Sequence, residues 1–262
     1  MDPHQYWTRE KLDSAFEQSE KDGSTVFLDS FGRRVFQYKG RIIKYGRPVD
    51  LQEAKALAFI KQSGLNIPVP QVYFAGSCGD TKVIEMEMIE GETLEKIWDG
   101  LTEQERHGYA LQLRQVVDQL HSLEGSYIGS LEGGPAVDAR RFRNYGGPFA
   151  DETEFNKFLL SNTISKAPPI YRKMVESILS DQTHRIVFTH GDLTPTNIMV
   201  KEGRIVGIID WENAGWYPEY WEFLQFLRGM YRNYRDYGDV IFEKLYPVAF
   251  MTDHLLGYLT KH

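Results

Sequence analysis

The chain has 262 residues, 42% of them hydrophobic and 26% charged, with a formal net charge of −7. That length makes one large domain or two modest lobes with a real core, and the composition excludes a disordered chain. The acidic balance argues against a dedicated nucleic-acid binder, whose affinity rests on clustered Lys and Arg, and the one cysteine, Cys78, excludes an internal disulfide or a thiolate zinc cluster.

Along the chain, Met1 to Trp7 lack the basic and apolar regions of a secretory leader, and no apolar run reaches the ~18 residues that span a bilayer. The expectation is a cytoplasmic protein with neither membrane nor nucleic-acid partners. Residues 1–22 read as a polar helical lead-in. Thr25 to Asp29, Arg33 to Tyr38 and Arg41 to Tyr45 are β-rich, are separated by glycine turns and predict a meander. A helix follows over Leu51 to Gln62, with Asp50 and Glu53 in capping-box spacing and Gly64 as its stop. The prolines of Ile67 to Pro70 impose extended backbone, and strands are expected near Gln71 to Phe74 and over Lys82 to Ile89. From Glu92 the pattern turns helical, with Leu111, Leu113, Val116, Val117 and Leu120 at helical spacing. Gly125 to Pro148 reads as a long loop, and Asp151 to Leu160 and Pro169 to Leu179 as helices. A β-segment at Ile186 to Phe188, a loop, and a hairpin of Asn197 to Val200 and Ile205 to Ile209 precede an aromatic, helical tail from Glu219. The predicted organisation is thus a lead-in (1–22), a strand-rich N-lobe (23–90) and a larger helical C-lobe (91–262).

The chemistry concentrates in one stretch. His190-Gly191-Asp192 is followed by Asn197, five residues after the aspartate, and Asp210-Trp211-Glu212 comes thirteen residues after the asparagine. A loop aspartate can take a proton from a substrate hydroxyl. An asparagine carbonyl and a second aspartate can hold Mg²⁺ on a nucleotide's phosphates, where few protein oxygens are needed. The seven histidines show no zinc-ligand spacing. His190 itself reads as a residue that hydrogen-bonds its own loop.

This set resembles the aminoglycoside phosphotransferase and choline kinase superfamily. His190 to Asn197 matches its HGDLxxxN motif, and Asp210-Trp211-Glu212 matches a variant of its metal motif. The resemblance implies an α+β, protein-kinase-like bilobal fold: a small antiparallel-sheet N-lobe with one helix, and a larger, mainly helical C-lobe. It implies ATP and Mg²⁺ as cofactors and a small-molecule hydroxyl acceptor. Asp192 would be the catalytic base, Asn197 and Asp210 the metal ligands, Lys44 the phosphate-gripping lysine and Glu53 its ion-pair partner. The backbone of Glu87 and Ile89 would meet the adenine, beside Met86. Glu53 retains its alternative role as a helix cap.

Two departures narrow the resemblance. The glycine-rich phosphate loop of protein kinases is absent, and the corresponding turn is only Asp29 to Arg33. No Phe-Gly follows Asp210 and no Ala-Pro-Glu follows later, which disfavours peptide substrates. The thin phosphate turn keeps a second reading open, a nucleotide-binding pseudokinase. The chain is 13% aromatic. Tyr220, Phe223 and Phe226 share a helical face and predict core, whereas Trp211, Trp216 and Glu212 are candidates for the acceptor pocket.

Overall fold

The computed structural model describes residues 6–138, 143–161, 168–180, 183–229 and 231–261. The first five residues of the expected lead-in, and residues 139–142 of the expected long loop, lie outside them. In chain order the elements are α1 (Arg9–Lys21), β1 (Val26–Ser30), β2 (Arg33–Tyr38), β3 (Arg41–Gly46), α2 (Gln52–Ser63), β4 (Val72–Cys78), β5 (Thr81–Glu87), β6 (Glu92–Thr93), α3 (Leu94–Trp98) and α4 (Glu103–His121). There follow β7 (Ala136–Asp138), β8 (Asn144–Gly146), α5 (Glu152–Ser161), α6 (Pro169–Ser180), β9 (Ile186–Thr189), β10 (Ile198–Lys201) and β11 (Arg204–Ile208). The chain ends with β12 (Gly215–Pro218), α7 (Trp221–Arg228), α8 (Arg232–Arg235), α9 (Gly238–Ile241) and α10 (Pro247–Lys261). It divides into two compact units, residues 1–92 with 199–212, and residues 93–198 with 213–262. The β10–β11 hairpin, read from sequence as part of the C-terminal lobe, therefore groups with the N-terminal sheet. No described helix is long and apolar enough to cross a membrane.

The first unit is built on an antiparallel sheet in the order β1-β2-β3-β5-β4. Its first two connections are the pairs Phe31-Gly32 and Lys39-Gly40, each with both residues at positive φ. That is the turn geometry whose twist matches flanking antiparallel strands. Helix α1 starts at Thr8, whose hydroxyl accepts from the Lys11 N–H, and buries Leu12, Ala15 and Phe16. These pack with Phe36, Ile43, Tyr45 and Val83 in one apolar cluster. Strand β5 stops at Glu87, two residues before the expected end. Glu87 pairs with Arg41, the first residue of β3, so Met88 and Ile89 have no ladder partner on that side. Strand β4 runs longer than its Ala-Gly-Ser-Cys end predicts, because pairing with β5 outweighs weak intrinsic preference.

In the second unit, α4 opens on a complete capping box, with Thr102 and Glu105 bonded reciprocally. It buries Tyr109, Leu113, Val116, Val117 and Leu120, while Leu111 faces out. Two features depart from the sequence reading. The expected loop from Gly125 to Pro148 contains the β7–β8 hairpin. Strand β9 pairs with β12, in the register Phe188 with Trp216 and Val187 with Tyr217. Gly-Trp-Tyr-Pro is too short to show a period, so this strand is invisible without its partner. Tyr220, Phe223 and Phe226 are core as predicted, and Tyr234 and Phe242 join them: Phe226 lies 5.0 Å from the Tyr234 ring and 5.3 Å from that of Phe242.

Candidate active site

The first unit holds a charge cluster centred on Lys44. This lysine sits mid-strand in β3, between Val35 of β2 and Ile84 of β5, and is only 4% exposed. Its Nζ donates to Glu53 Oε2 on α2 and, at 2.9 Å, to Asp210 Oδ1. Glu212 Oε2 lies 3.6 Å away. Burial alone would lower the Lys44 pKa, but Glu53, Asp210 and Glu212 outweigh it and hold the ammonium charged. The same burial, reinforced by the carboxylates of Asp210 and Glu212, pushes Glu53 upward against the pull of Lys44. The capping role weighed for Glu53 is not realised: Asp50 Oδ1 accepts from the Gln52 N–H, and the Glu53 side chain is buried on Lys44. Asp210 follows β11 at φ 60, a left-handed conformation that aspartate tolerates better than most residues.

One member of this cluster was missed by sequence reasoning. Arg33, the first residue of β2, places Nη1 2.9 Å from Glu212 Oε2 and Nη2 3.7 Å from Asp210 Oδ1. The only sequence signal was its place at the end of the short phosphate turn.

The second unit holds the His190–Asn197 loop, which leaves β9 at Thr189. The Asp192 N–H donates to His190 Nδ1 at 3.1 Å, so this ring nitrogen is an acceptor tied to its own loop, as expected. Asn197 Nδ2 donates to both the carbonyl and the Oδ2 of Asp192, each at 3.0 Å. The Asn197 amide nitrogen is therefore committed, and Oδ1 is the atom with which it can meet a cation. Gly191 sits at φ 79, and a Cβ there would lie 2.7 Å from the Asn213 carbonyl, so only glycine fits between His190 and Asp192. Beneath the loop, the fully buried Glu222 accepts from the His190 N–H at 2.6 Å and from the Gly191 N–H at 3.1 Å. Burial pushes its pKa up to about 7 despite these two bonds. No local sequence pattern marks Glu222 as the anchor of this loop. Its real position depends on α7 packing under a loop some thirty residues earlier.

The remaining predicted residues divide. Glu87 donates its N–H to the Gln71 carbonyl at 2.8 Å, so that group is not available as a donor to a ligand. Ile89 lies outside the ladder, its side chain against Gly207 of β11. Trp211 does not line an open pocket: it is fully buried, with Nε1 donating to the Ile208 carbonyl at 2.9 Å. Trp216 packs edge-on against Phe188 at 5.0 Å and closely over Gly125, which makes it part of the β9–β12 packing. Glu212 belongs with Lys44 and Arg33 and not with an aromatic wall.

The donor set suits a hard divalent cation. Glu53, Asp210 and Glu212 each offer a carboxylate oxygen, all within 4.8 Å of one another. Oxygen-only ligands, with Asp210 still 31% exposed, fit Mg²⁺ chemistry.

A sheet with a buried Lys–Glu pair, joined to a mainly helical unit with a His-x-Asp loop and a trailing asparagine, defines the protein-kinase-like class. A model described as the phosphotransferase enzyme family matches residues 49–244, and the chain belongs to that family. It is accordingly a small-molecule phosphotransferase of the kinase type. Solved structures share the fold at low identity. The aminoglycoside phosphotransferase APH(4)-Ia aligns at 15% identity and TM-score 0.65, over 94% of this chain and 88% of its own. APH(2")-IIa, in a ternary complex with streptomycin and ATP, aligns at 15% and 0.61, over 90% and 82%. The macrolide 2'-phosphotransferase MphH from Brachybacterium faecium aligns at 18% and 0.57, over 94% and 88%. No curated protein sequence matches.

Proposed function

We propose that the chain transfers the γ-phosphoryl group of ATP, with Mg²⁺, to a hydroxyl of a small molecule. The observation that carries this reading is the Asp192 carboxylate, half-buried and oriented by Asn197 Nδ2 in a loop anchored on Glu222. In the reaction the acceptor's O–H gives its proton to Asp192 as its oxygen bonds to the γ-phosphorus. The bond from that phosphorus to the β–γ bridging oxygen breaks, and ADP leaves. Lys44, kept charged by its acid partners and positioned by Glu53, neutralises phosphate charge. Asp210 and Asn197 Oδ1 would hold Mg²⁺, which would supply further charge neutralisation on the phosphates. Adenine is assigned to the backbone at Glu87 and Ile89. The cytoplasm, where ATP is supplied, is the compartment proposed for this activity.

For the acceptor we propose a hydroxylated, amine-bearing molecule of the aminoglycoside, choline or amino-alcohol kind. The hygromycin B and gentamicin named in complexes of the solved structures are of that chemistry. The test is ATP consumption across a panel of such acceptors, with Asp192→Asn alongside. Turnover in the wild type that D192N abolishes, with MgATP binding retained, supports the reading. Equal turnover in both overturns it, and nucleotide binding without turnover on any acceptor leaves a binding role in its place.

A further inference from the structure

We infer that Arg33 is a phosphate-binding residue for the nucleotide, standing in for the missing glycine-rich loop. The inference rests on the ATP-dependent reading above. In a glycine-rich loop, backbone N–H groups cover the phosphates. The Asp29 to Arg33 turn, with one glycine, offers few of these. Instead it delivers a guanidinium.

Three observations within the first unit carry the argument. The first is the launch point. Arg33 pairs with Gly46 of β3, and a Cβ on Gly46 would lie 2.1 Å from the Gly32 carbonyl and 3.0 Å from the Arg33 Cα. The turn is thus pressed onto β3 at a position only glycine allows, which sets where β2 starts and where the Arg33 side chain begins. The second is the reach. The guanidinium arrives beside Asp210 and Glu212, the carboxylates that also contact Lys44 Nζ. It therefore shares the neighbourhood of the lysine assigned to the phosphates. The third is incomplete satisfaction. Arg33 Nε is buried and has no hydrogen-bond partner among the described residues, although the side chain is still 20% exposed.

Charge then decides what this arginine is for. Lys44 contacts Glu53, Asp210 and Glu212, and Arg33 contacts Asp210 and Glu212, so the two bases share two of the same carboxylates. A divalent cation held by Asp210 would weaken the hold of that carboxylate on both bases. A largely buried guanidinium that loses an anionic partner carries a large desolvation cost unless another anion replaces it. The phosphates of the same nucleotide are that anion, and the planar fork suits them bidentately.

The experiment measures binding of MgATP, MgADP and adenosine to the full chain by calorimetry, with thermal unfolding in parallel. The variants are Arg33→Met and Arg33→Lys. R33M should weaken MgATP and MgADP by about tenfold to a hundredfold and leave adenosine within about twofold, because one to two charge-assisted bonds are lost only to phosphate. R33K should recover part of the loss, and carries the same comparison should R33M not fold. Equal weakening of adenosine and MgATP means a structural role and overturns the inference, as does R33M binding MgATP as the wild type does. A wild-type chain that binds neither nucleotide overturns the parent reading instead, and this inference with it.

Discussion

Asn197 Nδ2 bonds two oxygens of Asp192 at once, the backbone carbonyl and the carboxylate Oδ2, both at 3.0 Å. One amide thus fixes the loop's shape and aims its acid. The two residues are five apart and joined through a tight turn, in which the Thr194 N–H donates to the Asp192 carbonyl and the Asn197 N–H to that of Thr194.

This pairing separates two variants. Asp192→Asn removes the proposed proton acceptor and should lower kcat by about 10²–10⁴, with MgATP binding nearly unchanged. Asn197→Ala releases the carboxylate and removes a proposed metal ligand, so kcat should fall and the Mg²⁺ concentration for half-maximal rate should rise. Steady-state kinetics across a Mg²⁺ series checks both, and an unchanged Mg²⁺ dependence in N197A would argue against the ligand role.

Lys44 and Glu53 are both buried, and each is the other's compensation. Lys44→Met leaves the buried Glu53 without its lysine and takes one cation from Asp210 and Glu212, and should cost about 3–5 kcal/mol of folding stability. Glu53→Gln keeps the shape and a neutral partner and should cost less. Urea unfolding of both variants and the double mutant measures the coupling, which should be large and non-additive.

Glu222 should reveal itself through pH. Its folded pKa lies near 7, above the ordinary 4.5. The folded state therefore binds the extra proton between these values, and the contribution of Glu222 to stability falls as pH rises from about 4.5 to 7. Glu222→Gln should flatten that part of the stability curve relative to wild type. It should also lower kcat with little change in the nucleotide KM, because a neutral amide oxygen holds the His190 and Gly191 N–H groups more weakly than a carboxylate does. Unfolding at pH 5 and pH 8, with kinetics at pH 8, checks both.

His121 runs the other way. Burial pushes its pKa down to about 4 from 6.5, with Arg185 adding to that and Glu219 opposing it. Its Nε2 is buried with no hydrogen-bond partner among the described residues. The unfolded chain takes up the proton first, so stability should fall as pH drops from about 6.5 to 4, by up to about 3 kcal/mol. His121→Gln should remove most of this acid sensitivity while leaving kcat intact.

Sequence alone determined what is local: the glycine-punctuated meander, the helix after it, the β10–β11 hairpin, and the spacing that ties His190, Asp192 and Asn197 into one loop. These depend on turns, periodicity and bonds between residues a few positions apart, all carried by neighbouring side chains. Tertiary structure decided the rest. Glu53 sits where the sequence favours an ion pair but leaves a helix cap open, and the nearness of Lys44, buried on another element, selects the pair. Arg33 and Glu222 take their places through packing against distant segments, and no local pattern marks them. Trp211 and Trp216 looked like a substrate wall because aromatic residues after a metal aspartate suit either a pocket or a core. The bond from the buried Trp211 indole to Ile208 assigns that residue to packing, since its N–H is already satisfied, while the half-buried Trp216 packs on Phe188 through the pairing of β12 with β9.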